Sequence, residues 1–526
     1  MAVTRRRFLG SAAAASFLPA TGLRAQPQSA DLDVAIVGGG VAGAYTAWRL
    51  RKANPGARVR LFEMSDRIGG RLRSIAFPQA PHLVGEAGGM RFLESQQHVF
   101  RLVQHLNLPT RGYPVFDPQD RLALRGRTFT YAEAGGPGKL YPYNIPPEEQ
   151  SPKSAVFLDR IARVVPDAKT MTREEWLRIR ATVRYRGRLL KDWAGWALLS
   201  NLFTHEEMAF AQDSAGYDSI SLRQTGLDEL DFAFLGIDFS KPFYTIAGGY
   251  QRLPLALADE VRRLGAEVEM RTRLVSLSVP DTAGGVFRLG FQSADGLVAS
   301  TTASRVVLAM PRRALELVDN FPARRDPQFA DLIRSVEPVP ACKALLLYPK
   351  PWWRDLGING GRSVTDMPAR QFYALGAEKE RLPSEQTGGY GMLMMYCDSD
   401  TVDYWKELAR PAAAAGFQWL PGDSELAQEV HREAGLVYAT NPPQPVAACF
   451  QDWTADPFGG GWHCWGPGKD GLQLANRAMK PLADRELYIC GEAYGVYEPG
   501  WVETALERAE TMLQRHFGLA APQWLA

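Results

Sequence analysis

Two hydrophobic rhythms alternate along this chain. Residues 33–37 (DVAIV) form a short apolar run with β-branched character, which predicts a buried strand. The glycine cluster at 38–43 ends it. AGAYTAWRLRKA then carries helical spacing until NPG at 54–56 stops it, and VRLFE at 59–63 reads as a second strand. Together these make a β-loop-α-β unit. From 110 to 235 the pattern changes: Pro/Gly-rich loops (RGYPVFDPQD, GGPGKLYPYNIPPEEQ) lead into MTREEWLRIRATVRYRGRLLKDWAGWALL, which predicts an inserted helical region. FYTIAGGYQRLPLALADEVRRLGAEVEM returns to a turn, an amphipathic helix and strands. RTRLVSLSV and VFRLGFQS alternate as a hairpin, and ASRVVLAMP reads as a further buried strand. Residues 336–470 are mixed, with strand-like ACKALLLYP and GYGMLMMYC. The stretch from Glu486 predicts a strand, a Gly-Glu turn, a loop and a long amphipathic helix. The fold class is α/β with mixed α+β character.

At 526 residues the chain suits two or three domains. Its 46% hydrophobic and 22% charged residues are ordinary for a globular protein. The net charge of +2 comes from the N-terminus, where Arg5, Arg6, Arg7 and Arg24 are the only charges before Gln26; without them 56 basic face 58 acidic residues. That balance argues against a nucleic-acid partner or a polybasic membrane anchor. Cys342, Cys397, Cys449, Cys464 and Cys490 show no CxxC spacing, so a disulfide-stapled fold is not expected, although one bridge stays open. The histidines lack ligand spacing, and no metal is expected.

Thr4-Arg5-Arg6-Arg7-Phe8-Leu9, followed by SAAAASFLPATGL, fits a twin-arginine export signal over residues 1–25, with a disordered basic tail as the alternative. Pro19 and Gly22 break the apolar run too early to cross a ~30 Å hydrocarbon core. The expectation is a periplasmic or secreted protein, handled by the twin-arginine machinery and without a stable membrane anchor.

Gly38-x-Gly40-x-x-Gly43 sits between the first strand and helix. In a dinucleotide loop the first glycine makes the tight turn and the second admits a pyrophosphate. The third packs helix on strand, and the helix start at Val41 and Ala42 faces the phosphates. Glu63, at the end of the next strand, is placed to accept ribose hydroxyls. This fingerprint does not separate FAD from NAD. The following Met64-Ser65-Asp66-Arg67-Ile68-Gly69-Gly70-Arg71 suits a longer cofactor, with Arg71 meeting phosphate charge; a generic glycine turn beside a surface arginine is the alternative.

With Gly491-Glu492 and Gly500-Trp501-Val502-Glu503-Thr504 near the end, these segments resemble the flavin amine oxidase superfamily, and within it the secreted and bacterial L-amino acid oxidases. The similarity runs in blocks from 33 to 513 and is weakest in the helical region. It implies FAD held by Gly38, Gly40, Val41, Ala42, Gly43, Glu63, Met64, Arg67, Gly70, Arg71, Gly89, Met90, Arg91, Val275, Gly491, Glu492, Trp501, Val502 and Thr504. Glu86-Ala87-Gly88-Gly89-Met90-Arg91-Phe92 is similar to the oxidases' G-x-M-R segment, whose arginine pairs with the substrate carboxylate. GINGGRSVTDMPARQFYALG resembles the stretch whose aromatic hydroxyl meets the same carboxylate, here Tyr373. VEPVPACKALLLYP resembles the strand whose lysine, here Lys343, reaches the flavin through a water. The resemblance makes Trp501 a wall of the cavity and, with Lys343, part of the catalytic apparatus. Gly500 and, in GGGWHCWGPG, Trp462 and Trp465 are substrate-pocket candidates; His463 between them reads as a loop residue without a catalytic role. A structural ion pair for Arg91, a core position for Tyr373 and an edge-strand charge for Lys343 stay open as alternatives. Family members with covalent flavin use a cysteine in the C-terminal turn. Here that turn is GEAYG, with Cys490 before its glycine, so the implied FAD is non-covalent; a long Gly491–Gly500 spacing leaves residues 493–499 open.

The implied architecture is a Rossmann-like FAD-binding domain (31–75, 248–335 and 475–520), a mixed-sheet substrate-binding domain (76–115, 236–247 and 336–474) and a helical insertion (116–235). The implied reaction is oxidative deamination of an L-amino acid by oxygen to a 2-oxo acid, ammonia and hydrogen peroxide. Amine or polyamine oxidation, amino-acid 2-monooxygenation and a non-catalytic flavoprotein are the alternatives. Aromatic pocket candidates favour large apolar substrates, whereas Asp218, Asp231, Asp398 or Asp400 offers a reader for basic side chains. Oligomeric state stays open, a homodimer among the options.

Overall fold

The computed structural model describes residues 30–135, 141–146, 150, 160–167, 170–218, 224–235, 241–377, 389–410, 414–496 and 500–525. The expected export signal lies outside them. The strand Leu32–Val37 (β1), the helix Val41–Ala53 (α1) and the strand Val59–Phe62 (β2) form where the hydrophobic pattern puts them. β1 pairs in parallel with β2 on one side and with the end of the long strand Val298–Leu308 on the other. Glu267–Glu269 lies beside β2, and Leu487–Ile489 beside Val298–Leu308, both parallel. The first half of Val298–Leu308 instead joins an antiparallel meander with Phe287–Ser293 and Thr272–Ser278.

β1 is apolar from Val34 to Val37 because both its faces are covered there. Val34 and Ile36 pack under α1 and the helices Arg252–Arg263 and Val502–Phe517. Leu32, Ala35 and Val37 face the helices Pro327–Arg334 and Gly471–Met479. A buried polar cluster joins α1 to the last long helix: Tyr45 Oη donates to Glu510 at 2.6 Å, and Arg49 grips both Glu510 oxygens at 2.9 Å. Segments far apart in sequence are thereby tied into one layered unit.

The second large sheet has eight strands, in the order Phe417–Pro421, Ala447–Asp452, Ala341–Tyr348, Gly391–Asp398, Gln371–Ala377, Gly361–Thr365, Arg121–Leu124 and Arg127–Thr130. All neighbours are antiparallel except Gly361–Thr365 with Arg121–Leu124. Period two sorts the side chains. Ala344, Leu346 and Tyr348 enter a core beneath the helix Glu425–Tyr438, while Lys343, Leu345 and Leu347 point to the opposite face.

The region 116–235 differs from the helical insertion that the sequence suggests. Residues 121–130 are a hairpin at the edge of the large sheet. Its turn, Arg125-Gly126, has φ of 48° and 75°, and Arg186-Gly187 has 49° and 79° between the short strands Arg184–Tyr185 and Arg188–Leu189. Paired positive φ values match the twist of a two-residue hairpin, so each Arg-Gly-Arg makes a turn inside charge-rich sequence. The helices described in this region are Tyr131–Ala134, Arg173–Ile179, Gly195–Leu199, His205–Ala215 and Gly226–Leu235.

Candidate active site

Residues from both large sheets and from the segment 196–217 line one cavity of ≈ 1360 Å³. That exceeds the roughly 300–1,000 Å³ of a single small-ligand pocket and leaves room for a cofactor and a substrate together.

At one end stands the glycine loop. Gly43 has no space for a side chain, since a Cβ there would lie 1.9 Å from the Gly38 carbonyl oxygen. Gly40 differs: a Cβ would meet only Gly70 Cα, at 4.0 Å, and would stand on the cavity wall. The N-terminus of α1 has no side-chain cap and no acidic residue in its first turn, so its N–H groups are left for an anion. A bare backbone face beside an uncapped helix end fits the pyrophosphate of FAD. Glu63 lines the cavity with its carboxylate anchored, accepting from Gly39 N at 2.6 Å and from Ser65 N and Oγ at 2.8 and 2.7 Å. Arg67 bends the second glycine turn by donating to the Leu72 and Gly70 carbonyls at 3.0 and 2.6 Å. Burial, with Arg73 nearby, lowers its pKa to about 10.

Arg71 lines the cavity, and its Nη1 pairs with the Glu492 carboxylate at 2.5 Å. Glu492 also accepts from His463 N and Gly500 N, both at 2.9 Å, and faces His463 Nδ1 at 3.2 Å. Burial works against its charge, yet Arg71, His463 and these hydrogen bonds hold its pKa down at about 2. This network joins the front glycine turn to the C-terminal turn. His463 is a strand residue, not a loop residue, within Trp462–Trp465, and is buried behind the lining.

At the other end, Arg91 and Lys343 line the same cavity. Lys343 Nζ donates to the Gly88 and Glu86 carbonyls at 2.6 and 3.2 Å. Burial outweighs the attraction of Glu86 and lowers its pKa to about 7. Glu86 is raised to about 7 by burial, against hydrogen bonds from Tyr250 N and Ser74 Oγ. Arg91 Nη1 donates to Tyr373 Oη at 3.3 Å, and Tyr373 donates to Gln371 Oε1 at 2.9 Å.

Of the remaining expected residues, Gly38, Val41, Ala42, Met64, Gly70, Gly89, Met90, Trp462, Gly491, Gly500, Trp501 and Val502 line the cavity, and five do not. Tyr373 stands behind Arg91. Trp465 packs into the core of the first sheet and donates to the Gly495 carbonyl at 2.7 Å; three positions from Trp462 on one strand, it faces the opposite side. Val275 sits at a register break between strands, and Thr272, Arg273 and Leu274 do the lining there. Thr504 is buried within the last long helix, and Gly43 serves the helix–strand contact. The candidate readers of basic side chains are also elsewhere: Asp218 pairs with Arg370 at 3.0 Å, Asp231 with Arg180, Asp398 accepts from Asp218 N at 2.8 Å, and Asp400 is exposed. Sequence reasoning missed Arg362, Tyr217 and Tyr396, which also line the cavity. The signal for Arg362 was its register opposite Tyr373 across two strands.

Residues 41–513 match the model of the flavin containing amine oxidoreductases. The chain belongs to that family. Among curated relatives of this flavin amine oxidoreductase are achacin of Lissachatina fulica (26% identical, covering 94% of this chain and 95% of achacin) and aplysianin-A of Aplysia kurodai (26%, 92% and 90%). An L-amino-acid oxidase of Crotalus adamanteus is 23% identical over 91% of this chain and 85% of its own. A solved putrescine oxidase bound to putrescine shares the fold, with a TM-score of 0.66 at 17% identity over 93% of this chain and 99% of that one. Membership implies a flavin cofactor, a small-molecule amine substrate and oxygen. Among the described residues no helix is long and apolar enough to cross a membrane, and no group of side chains is arranged to hold a metal ion.

Proposed function

We propose that this chain oxidatively deaminates an L-amino acid with FAD, holding the substrate carboxylate on Arg91. The observation that carries this reading is the state of that guanidinium. It is 7% exposed, lines the cavity, and has no ion-pair partner among the described residues beyond its hydrogen bond to the Tyr373 hydroxyl. A buried cation without a counter-charge is unfavourable. A substrate carboxylate completes it through two parallel hydrogen bonds and thereby fixes the α-carbon. Tyr373 is a positioning residue that orients Arg91 from behind.

The α-amine must be neutral before the α-carbon can release hydride. Lys343 Nζ, poised near neutrality, accepts that proton through a water. Bound FAD supplies the two-electron acceptor, and oxygen takes the electrons onward as hydrogen peroxide. Trp501, Trp462 and Gly500 wall the cavity while the imino acid forms; water then hydrolyses it to a 2-oxo acid and ammonia. No cysteine is among the residues lining the cavity, which supports non-covalent FAD. An amine without a carboxylate would leave Arg91 unmatched, which favours amino acids over putrescine-like substrates. The test is peroxide release from purified protein with the twenty L- and D-amino acids and a set of simple amines; peroxide from amines alone would refute the reading. Residues 1–25 we read as a twin-arginine signal, which moves folded protein and so suits a cofactor buried between distant segments.

A further inference from the structure

We infer that the substrate is an α-amino dicarboxylic acid of the aspartate–glutamate class, with its α-carboxylate on Arg91 and its side-chain carboxylate on Arg362; this rests on the amino-acid reading above. Arg362, on the strand Gly361–Thr365, stands directly opposite Tyr373 on Gln371–Ala377. Cross-strand partners share a face of the sheet, so Arg362 points to the same side as Tyr373, and it lines the cavity. It is 9% exposed, and its Nε is buried without a hydrogen-bond partner. Nη1 donates only to neutral groups, the Ala215 carbonyl at 3.1 Å and Gln371 Oε1 at 3.4 Å. Its other close neighbours are aromatic: Tyr131, and Phe116 and Tyr217 with ring centres 5.8 and 6.0 Å from the guanidinium carbon.

One acid lies nearby. Asp120 Oδ2 accepts the backbone N–H groups of Asp117 and Arg362 at 2.9 and 2.7 Å, while Asp120 Oδ1 has no partner, so it does not pair with the Arg362 guanidinium. Burial raises its pKa to about 7, which weakens it further as a counter-charge.

The cavity therefore holds two buried guanidiniums, neither joined to a carboxylate among the described residues. They are linked through three hydrogen bonds: Arg91 to Tyr373, Tyr373 to Gln371, and Arg362 to Gln371. Both draw the Tyr373 hydroxyl below its usual range although burial opposes this. The two like charges repel each other and favour a ligand with two separated negative charges. A neutral side chain leaves Arg362 unmatched, and a basic one adds a third positive charge. Glu207 and Asp456 on the cavity wall are not free to answer a basic side chain: Glu207 pairs with Arg160 at 2.6 Å, and Asp456 with Arg313 at 2.6 Å.

The test uses flavin-loaded protein and two ligands that cannot be oxidised, glutarate and pentanoate, titrated by calorimetry. Glutarate should bind on the order of 10- to 100-fold more tightly, the value of a buried charged hydrogen-bond pair. Arg362→Gln should bring the ratio near one. Wild-type kcat/KM should likewise favour L-glutamate or L-aspartate over L-leucine and L-phenylalanine. The wild-type comparisons need no variant to fold. Equal or tighter binding of pentanoate would overturn the inference, as would faster turnover of neutral amino acids, and either result would leave the amino-acid reading standing. Turnover of simple amines alone would overturn both.

Discussion

Replacing Gly40 by alanine separates a cofactor role from a folding role more cleanly than any change in the catalytic half. At Gly40 the backbone is extended, with φ −72° and ψ 179°, which alanine adopts freely, and the new methyl would meet only Gly70 Cα at 4.0 Å. Alanine gains about 0.4–1 kcal/mol from a less flexible unfolded chain and loses a few tenths of a kcal/mol or more as a poorer N-cap, so the apoprotein's stability should change by under about 1 kcal/mol. The methyl nevertheless projects where the pyrophosphate would approach the backbone. FAD present at 100 times its dissociation constant raises the stability of the wild type by about 2.7 kcal/mol, and that increment should vanish in Gly40→Ala. Gly43→Ala is the contrast. Its Cβ would lie 1.9 Å from the Gly38 carbonyl oxygen, so helix and strand must separate, at a cost of about 1–3 kcal/mol with or without flavin. The assay is chemical denaturation of each variant with and without added FAD, alongside the flavin-to-protein absorbance ratio after purification. Full flavin retention by Gly40→Ala, or equal apoprotein destabilisation by both changes, would refute the reasoning.

Glu492→Gln should leave Arg71, whose side chain is 21% exposed, without its counter-charge and cost about 1.5–3 kcal/mol, loosening the C-terminal turn and releasing flavin in a denaturant titration. Because the folded pKa of Glu492, about 2, lies below the ordinary 4.5, its stabilisation is complete above pH 4.5 and is lost as pH falls toward 2; Glu492→Gln should flatten that part of the stability–pH curve. In the wild type, kcat/KM should rise through pH 7 as Lys343 loses its proton. Lys343→Met should remove that limb and keep the one set by the substrate's amine, and Glu86→Gln should shift it to lower pH, because the Glu86 charge helps Lys343 hold its proton. Arg5→Lys/Arg6→Lys should leave flavin-loaded protein in the cytoplasm; continued export, followed by fractionation, would defeat the export reading.

Local features of the molecule were legible in the sequence where neighbouring residues decide them. The run from Asp33 to Glu63 dictates its own strand, turn, helix and strand, and Gly43 shows in its immediate context why no side chain fits. Features set by register were not legible. Trp462 and Trp465 look equivalent in GGGWHCWGPG, but they lie on one strand with opposite parity, so one lines the cavity and the other enters the core. Arg362 reads as a polar residue after two glycines until pairing sets it opposite Tyr373. The two Arg-Gly-Arg turns were hidden for another reason: their helix-forming neighbours outweigh a two-residue conformational signal. Arg71 and Glu492, each expected at the cofactor, are 421 positions apart and find each other only in the folded chain.

The most direct test of the proposed chemistry is anaerobic reduction of the bound flavin, followed by the loss of its visible absorption. L-amino acids should bleach the wild type rapidly, while the corresponding amines lacking the carboxylate should not. Arg91→Leu should lose this preference, with the rate constant at limiting substrate falling by on the order of 100-fold or more for amino acids, about the value of a buried charged hydrogen-bond pair. Equal bleaching by amines and amino acids in the wild type, or an Arg91→Leu protein that still prefers amino acids, would contradict the account.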